Sequence, residues 1–196
     1  MLNKSNIDYF NFGDVENKKF WKRLGGKPNL ENKSVLDFGC GHGSLCIDIA
    51  QSGAKKVKGI DITENLLKFA DINLNENYAE FKDKVTFKKF DILKNITEEK
   101  FDIIVSKDTF EHSLELDKIL KKLFNILNDG GKAYIGFGPL YNFYNGDHGR
   151  TKMILPWFHL MFSEKFIINK VNKKRDINIE KIQDLGLSKY SLKEYE

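Results

Sequence analysis

Cysteine is nearly missing from this sequence: there are two in 196 residues, Cys40 and Cys46, both within one short stretch. This excludes a disulfide-stapled secreted scaffold, which needs several paired cysteines, and fits reduced thiols. Proline is scarce too, with three residues, and no Pro- or Gly-rich stretch marks a linker. No apolar run approaches the ~20 residues that a membrane-spanning helix requires, and the opening Met1 to Asn6 lacks the apolar stretch of a secretory signal. These absences predict a cytoplasmic protein without a membrane partner. Charge of one sign is not concentrated either. The net charge of +4 comes from lysines spread along the chain, with one denser run at Lys170, Lys173, Lys174 and Arg175. Phosphate binding calls for a concentrated basic face, so nucleic acid is not an expected partner.

What is present is enough for one core. A 41% hydrophobic, 31% charged chain of this length is expected to fold as a single globular domain. From residue 34 to 138, strand-like apolar runs alternate with helical patterns, the sequence form of repeated βαβ units. Strands are predicted at 34–38, 56–60, 84–88, 101–106 and 132–137. Helices are predicted at 43–52, at 63–75 with Thr63 as N-cap, and at 113–127 with Ser113 as N-cap. In the last, Leu116, Ile119, Leu120, Leu123, Phe124 and Leu127 recur at helical spacing, and Asp129-Gly130-Gly131 is read as its stop. The fold class that follows is α/β, a doubly wound, mostly parallel sheet between layers of helices.

Two flanks depart from the alternation. Residues 1–33 read as an N-terminal helical cap, with a helix at 14–24 carrying Phe20 and Trp21, and Tyr9, Phe10 and Phe12 just before it. Residues 139–196 read as a substrate loop and carboxyl segment, aromatic through Tyr141, Phe143, Tyr144, Trp157, Phe158 and Phe162. A long aromatic loop beyond the carboxyl end of a strand lies where such sheets bind substrates.

The run Val35-Leu36-Asp37-Phe38-Gly39-Cys40-Gly41-His42-Gly43 carries the chemistry. Glycines between a strand and a helix let backbone approach a ligand, and the helix aims free N–H groups at an anion. A nicotinamide dinucleotide turn would place its third glycine at the sixth position from Gly39, where Ser44 stands instead. A pyrophosphate also disfavours an acid beside it, whereas Asp37 suits the ammonium of an amino-acid tail. The run resembles the first motif of the class I S-adenosylmethionine (SAM)-dependent methyltransferases, a family with a Rossmann-like sheet.

The resemblance, covering roughly 34–138, implies further positions at successive strand ends. Asp37, Gly39, Cys40 and Gly41 would hold the amino-acid part of SAM. Asp61 would accept both ribose hydroxyls, with Ile62 as an apolar wall for the adenine. Asp91 and Ile92 match the adenine clamp, by carboxylate and by backbone N–H. Lys107, in Ser106-Lys107-Asp108, would line the methionine side. The pair Glu111-His112 resembles one found after the fourth strand in many small-molecule methyltransferases, which makes His112 a catalytic candidate. His148, beside Asp147 in the aromatic loop, is the second, because an imidazole titrating near ~6.5 can take a proton at neutral pH. His159 lies in what reads as a packed helix. No metal-binding set is read from the sequence.

Missing motifs narrow the acceptor. The stretch Ser106-Lys107-Asp108-Thr109-Phe110 stands where enzymes methylating the amino groups of adenine or cytosine carry Asp/Asn-Pro-Pro-aromatic. Cytosine C5 methylation needs a cysteine nucleophile near the fourth or fifth strand, and both cysteines lie in the first turn. The expectation is transfer to a small molecule, most plausibly onto a hydroxyl oxygen, with a non-catalytic SAM- or nucleoside-binding module second and a nicotinamide oxidoreductase third. The family's sheet normally has seven strands. Here only short candidates at 165–169 and 176–182 follow the fifth, and 188–196 reads as the start of a helix. The domain is thus expected to lack the usual last two strands, with its exposed sheet edge covered by the carboxyl segment or by a second copy in a homo-oligomer.

Overall fold

The computed structural model describes residues 4–195 and divides the chain into two compact units. The first runs to Lys107 and resumes over Asp117–Gly136; the second takes Asp108–Leu116 and everything from Phe137 onward. The helix read as an N-terminal cap therefore belongs to the first unit.

Five strands build the sheet: β1 (Ser34–Phe38), β2 (Lys56–Asp61), β3 (Val85–Lys89), β4 (Phe101–Lys107) and β5 (Leu127–Gly136). All pairings are parallel, in the order β3-β2-β1-β4-β5. Helices α1 (Lys4–Arg23), α2 (Ser44–Gln51), α3 (Glu64–Asn77) and α4 (Leu116–Asn125) flank it. The strands earn their central place by composition: β4 is Phe-Asp-Ile-Ile-Val-Ser-Lys, and Phe101, Ile104, Val105 and Ser106 are buried. A parallel strand covered on both faces reads as such a run. The core joins Val35, Val57, Val85, Ile103 and Val105 of the sheet to Leu45, Ile49, Leu67 and Phe69 of the helices.

Expectations change at α1, α4 and β5. Helix α1 is 20 residues long and starts well before 14, so Tyr9, Phe10 and Phe12 lie within it. Its buried side is Phe10, Gly13, Asn17, Phe20 and Trp21, a helical stripe that includes a glycine and an asparagine and so resembles a loop in sequence. Helix α4 begins at Leu116, not Ser113, and it buries Leu116, Ile119 and Leu123 while Leu120 and Phe124 stay exposed. The Asp129-Gly130-Gly131 stretch does not follow a helix directly. It sits inside β5, where the register against β4 shifts between Phe101 and Ile103 and Gly130 takes φ +75°.

The second unit is built from α5 (Phe158–Met161), α6 (Glu164–Arg175) and α7 (Leu192–Tyr195), with a small core of Tyr141, Ile167, Val171, Ile182, Leu185 and Leu187. Residues 165–169, read as a strand, are part of α6. Ile167 and Val171, four apart, bury one stripe, and Ser163 caps the first turn by accepting from Phe166 N at 3.4 Å. Residues 176–182 form no strand, and the described residues 188–195 supply only the four-residue α7. Among the described residues the sheet therefore ends at β5, which forms one of its edges. No described helix is long and apolar enough to cross a membrane.

Candidate active site

In an open parallel sheet, ligands bind beyond the carboxyl ends of the strands, where strand order reverses. Here that reversal lies between β1 and β4. The turn leaving β1 takes φ +80°, +51° and +81° at Gly39, Gly41 and Gly43, values that cost any other residue roughly 1–2 kcal/mol. Gly39 and Cys40 donate their N–H groups to the Ile60 carbonyl at 2.9 and 3.0 Å, tying the turn to β2. Gly43 is doubly required, since a Cβ there would stand 2.6 Å from the Phe87 ring. Gly41 differs: a Cβ there would meet nothing within 4 Å.

Acids line up beside this turn. Asp37, 1% exposed, accepts from the Cys46 thiol at 3.2 Å. Burial pushes its carboxyl from 3.8 up to about 6, while the Cys46 hydrogen bond and the Lys107 charge pull the other way. Asp61, the last residue of β2, accepts from Gly41 N at 3.0 Å through one oxygen and from Thr63 N at 2.8 Å through the other. Each oxygen keeps a lone pair for a further donor. Ile62 beside it is 68% exposed. After β3, Asp91 closes a turn by accepting from Leu93 N at 3.0 Å and pairs with Lys94 at 3.3 Å, and Ile92 is buried. Lys107, ending β4, donates to Asn17 of α1 at 2.6 Å.

Sequence reasoning missed the part that α1 plays here. Tyr9 packs on the His42 ring with centroids 4.6 Å apart, Phe69 meets the same ring edge-on at 5.2 Å, and both His42 nitrogens are buried without a hydrogen-bond partner. Burial lowers the His42 pKa, against the opposing pull of the Asp61 charge. Gly13, a glycine inside a helix, was the available signal: a Cβ there would collide with the Ser44 side chain.

The second unit holds a separate titratable cluster. Glu111 and His112 lie in a short 3₁₀ turn, Phe110–His112, and His148 adopts a left-handed backbone with φ +51°. The two imidazoles meet edge-to-face at 4.9 Å. Burial, helped by the Arg150 charge, lowers His112 to about 4, and burial also lowers His148. Burial raises Glu111 to about 7, which the neighbouring Asp108 reinforces. Arg150 reaches His112 Nε2 at 3.3 Å. Asp147 instead holds its own turn together, accepting from Thr151 Oγ1 at 2.5 Å and Gly149 N at 3.2 Å. His159 is buried in packing, with Nε2 at 2.6 Å from the Tyr141 carbonyl oxygen.

A family model described as a methyltransferase domain matches residues 29–137, more than half of the chain. The chain belongs to the class I SAM-dependent methyltransferases. Among curated relatives, the ribosomal protein L11 methyltransferase of Dictyoglomus turgidum is 38% identical over 47% of this chain and 29% of its own length. The ubiquinone biosynthesis O-methyltransferase of Pelagibacter ubique is 26% identical over 87% of this chain and 72% of its own. Among solved structures, a glycopeptide N-methyltransferase in complex with SAM superposes with a TM-score of 0.51 at 22% identity, over 62% of this chain and 52% of that one, a likeness of fold. The chain spans half or less of the length of the first curated relatives it matches. In this methyltransferase chain, the structure gathers the glycine turn, Asp37, Asp61, Asp91 and Lys107 at the carboxyl ends of β1 to β4 in the first unit, and it joins His112 to His148 in the second.

Proposed function

We propose that the chain is an enzyme that moves the methyl group of SAM onto a hydroxyl oxygen of a small molecule by in-line displacement. The observation that carries this reading is the buried carboxyl of Asp37 next to the open space at Gly41, with Asp61 one strand away. A carboxylate taken out of water calls for a cation, and the ammonium of SAM is one. The residues present fit the cofactor. Asp37 would take the ammonium, the backbone of Gly39, Cys40 and Gly41 would approach the amino-acid tail, and Lys107 would balance its carboxylate. The free lone pairs of Asp61 would accept the ribose hydroxyls. The exposed Ile62 would cover one face of the adenine, and Asp91 and Ile92 would read its edge. SAM supplies a methyl group on a sulfonium, already activated for transfer. What the chain adds is chiefly orientation, which can be worth roughly 7–11 kcal/mol.

We assign His112 and His148 to the acceptor hydroxyl. Burial lowers the pKa of both imidazoles, which favours the neutral rings; His148 keeps a lone pair on Nδ1, whereas His112 would have to release the Arg150 guanidinium that donates to its Nε2. The same reading places the protein in the cytoplasm, in keeping with its two free, buried thiols. It also places a second copy of the chain against the unpaired edge of β5, a reading that light scattering showing a monomer would refute.

The test is calorimetric titration with SAM and NADH, followed by transfer of labelled methyl to a panel of hydroxylated small molecules. SAM should bind, NADH should not compete, and Asp61→Ala should weaken SAM by about ten-fold or more, the loss of two hydrogen bonds. Tight SAM binding with no methyl on any acceptor would leave only a binding module.

A further inference from the structure

The cluster in the second unit carries more than a pair of bases. One carboxylate oxygen of Glu111 and one nitrogen from each of His112 and His148 lie within 4.8 Å of one another. Carbonyl oxygens fix both imidazole tautomers. His112 Nδ1 stands 2.8 Å from the Gly186 carbonyl oxygen and must donate to it, which leaves the lone pair on Nε2. His148 Nε2 stands 2.9 Å from the Pro139 carbonyl oxygen and must donate to it, which leaves the lone pair on Nδ1. A ring held by a carbonyl through one nitrogen and free to coordinate through the other is the usual arrangement of a metal-bound histidine.

Glu111 supplies the independent observation. It is 4% exposed, and its Oε1 accepts from Gly138 N at 3.4 Å, yet its Oε2 is buried with no hydrogen-bond partner. A buried carboxylate oxygen without a donor costs free energy that a cation would recover. Two imidazoles beside the acid select against Mg²⁺ and Ca²⁺, which take oxygen ligands, and favour a first-row transition ion.

We propose that Glu111, His112 and His148 form a binding site for a divalent first-row transition-metal ion. Three protein ligands leave a coordination position open, as in metal sites that also bind a small ligand. With the ion bound, both imidazole lone pairs serve as ligands, so the ion rather than the rings would act on the acceptor hydroxyl and make it more acidic, a consequence that rests on the methyl-transfer reading; binding of the ion does not. Arg150 donates to His112 Nε2 when no ion is bound, so its guanidinium and the ion compete for that lone pair.

The test uses the full chain, freed of metal by a chelator, and Co²⁺ as the probe. One equivalent should bind, with visible absorption bands distinct from those of the aquated ion. Glu111→Gln and His148→Gln, checked for folding by circular dichroism, should each weaken it by about ten-fold or more. Arg150→Gln should tighten it. As a measurement that needs no variant, Zn²⁺ should protect His112 and His148 from acylation by diethylpyrocarbonate in the unmodified chain. Absence of new bands, bands that persist undiminished in both ligand variants, or equal acylation with and without Zn²⁺ would overturn the proposal. Cobalt binding without methyl transfer would leave the metal site standing and count against the transfer reading alone.

Discussion

The two units handle left-handed backbone in opposite ways. Among the described residues of the first, positive φ falls on glycines, namely Gly25, Gly26, Gly39, Gly41, Gly43, Gly53 and Gly130, with Asn32 as the one other residue. In the second, Gly138, Gly149 and Gly186 share the task with Asp108, His148, Lys152, Trp157, Asp176 and Lys189. A side chain in that region costs of order 1–2 kcal/mol and persists only when its surroundings hold it. Hence the first unit has its tight geometry written into residue type, while the second forces its geometry through packing. Asp108 and His148, both strained in this sense, stand in or beside the titratable cluster, where stored strain has its usual place.

The sharpest way to break this contrast lies in the glycine turn. Gly43→Ala combines a left-handed penalty with a Cβ 2.6 Å from the Phe87 ring, so about 3 kcal/mol of stability should be lost in urea denaturation. Gly41→Ala meets the same kind of penalty with open space in front, and should cost only about 1 kcal/mol. If that space receives the cofactor, Gly41→Ala should weaken SAM by more than its stability loss suggests. Equal stability losses at the two positions would show that close packing at Gly43 is not what selects glycine there.

Asp37 offers a middle-sized effect. Its folded-state carboxyl sits at about 6 against an unfolded value of 3.8, a raised value, so between those limits the folded chain keeps a proton that the unfolded chain has lost. Without cofactor, stability should therefore fall as pH rises from about 4 to about 6. The cost, about 2–3 kcal/mol, is complete above that window. SAM affinity should run the other way, rising through pH 6 as the carboxylate forms for the ammonium. Asp37→Asn should then stabilise the cofactor-free chain by about 2 kcal/mol at pH 8, read as a higher Tm, while weakening SAM. Destabilisation at pH 8 would mean that the ionised carboxylate is already well satisfied.

The same contrast explains what the sequence made legible. Strand limits came within a residue or two for β1 to β4; in β1 and β4 this is because a parallel strand covered on both faces must be apolar, and the glycine turn was visible because only glycine tolerates its geometry without cost. The second unit leaves no such marks. Lys165-Phe166-Ile167-Ile168-Asn169 is a short apolar run that fits strand or helix equally, and only Val171, one turn beyond Ile167, reveals α6. Glu111 and His112 were visible as a pair. Their meeting with His148 depends on a loop in which the histidine itself takes left-handed backbone, and no spacing in the chain announces that. Arg150, which completes the cluster, offered no local pattern at all.

The smallest effect probes the second unit's dependence on packing. Asp176 follows α6 in a left-handed conformation at φ +52°, exposed, with its N–H on the Asn172 carbonyl. Two penalties meet there: a Cβ in left-handed backbone, and a negative charge at the negative end of a helix. Asp176→Gly should remove both, set against the entropy that glycine adds to the unfolded chain, for a net gain of about 0.5–1 kcal/mol in chemical denaturation. Asp176→Asn separates them, since it removes the charge and keeps a side chain that tolerates this conformation, and it should recover about half of the gain. A loss of stability in the glycine variant would mean that neighbouring packing, not the helix end, sets the backbone at this position, and the strain argued for the second unit would then be relieved by contacts rather than stored.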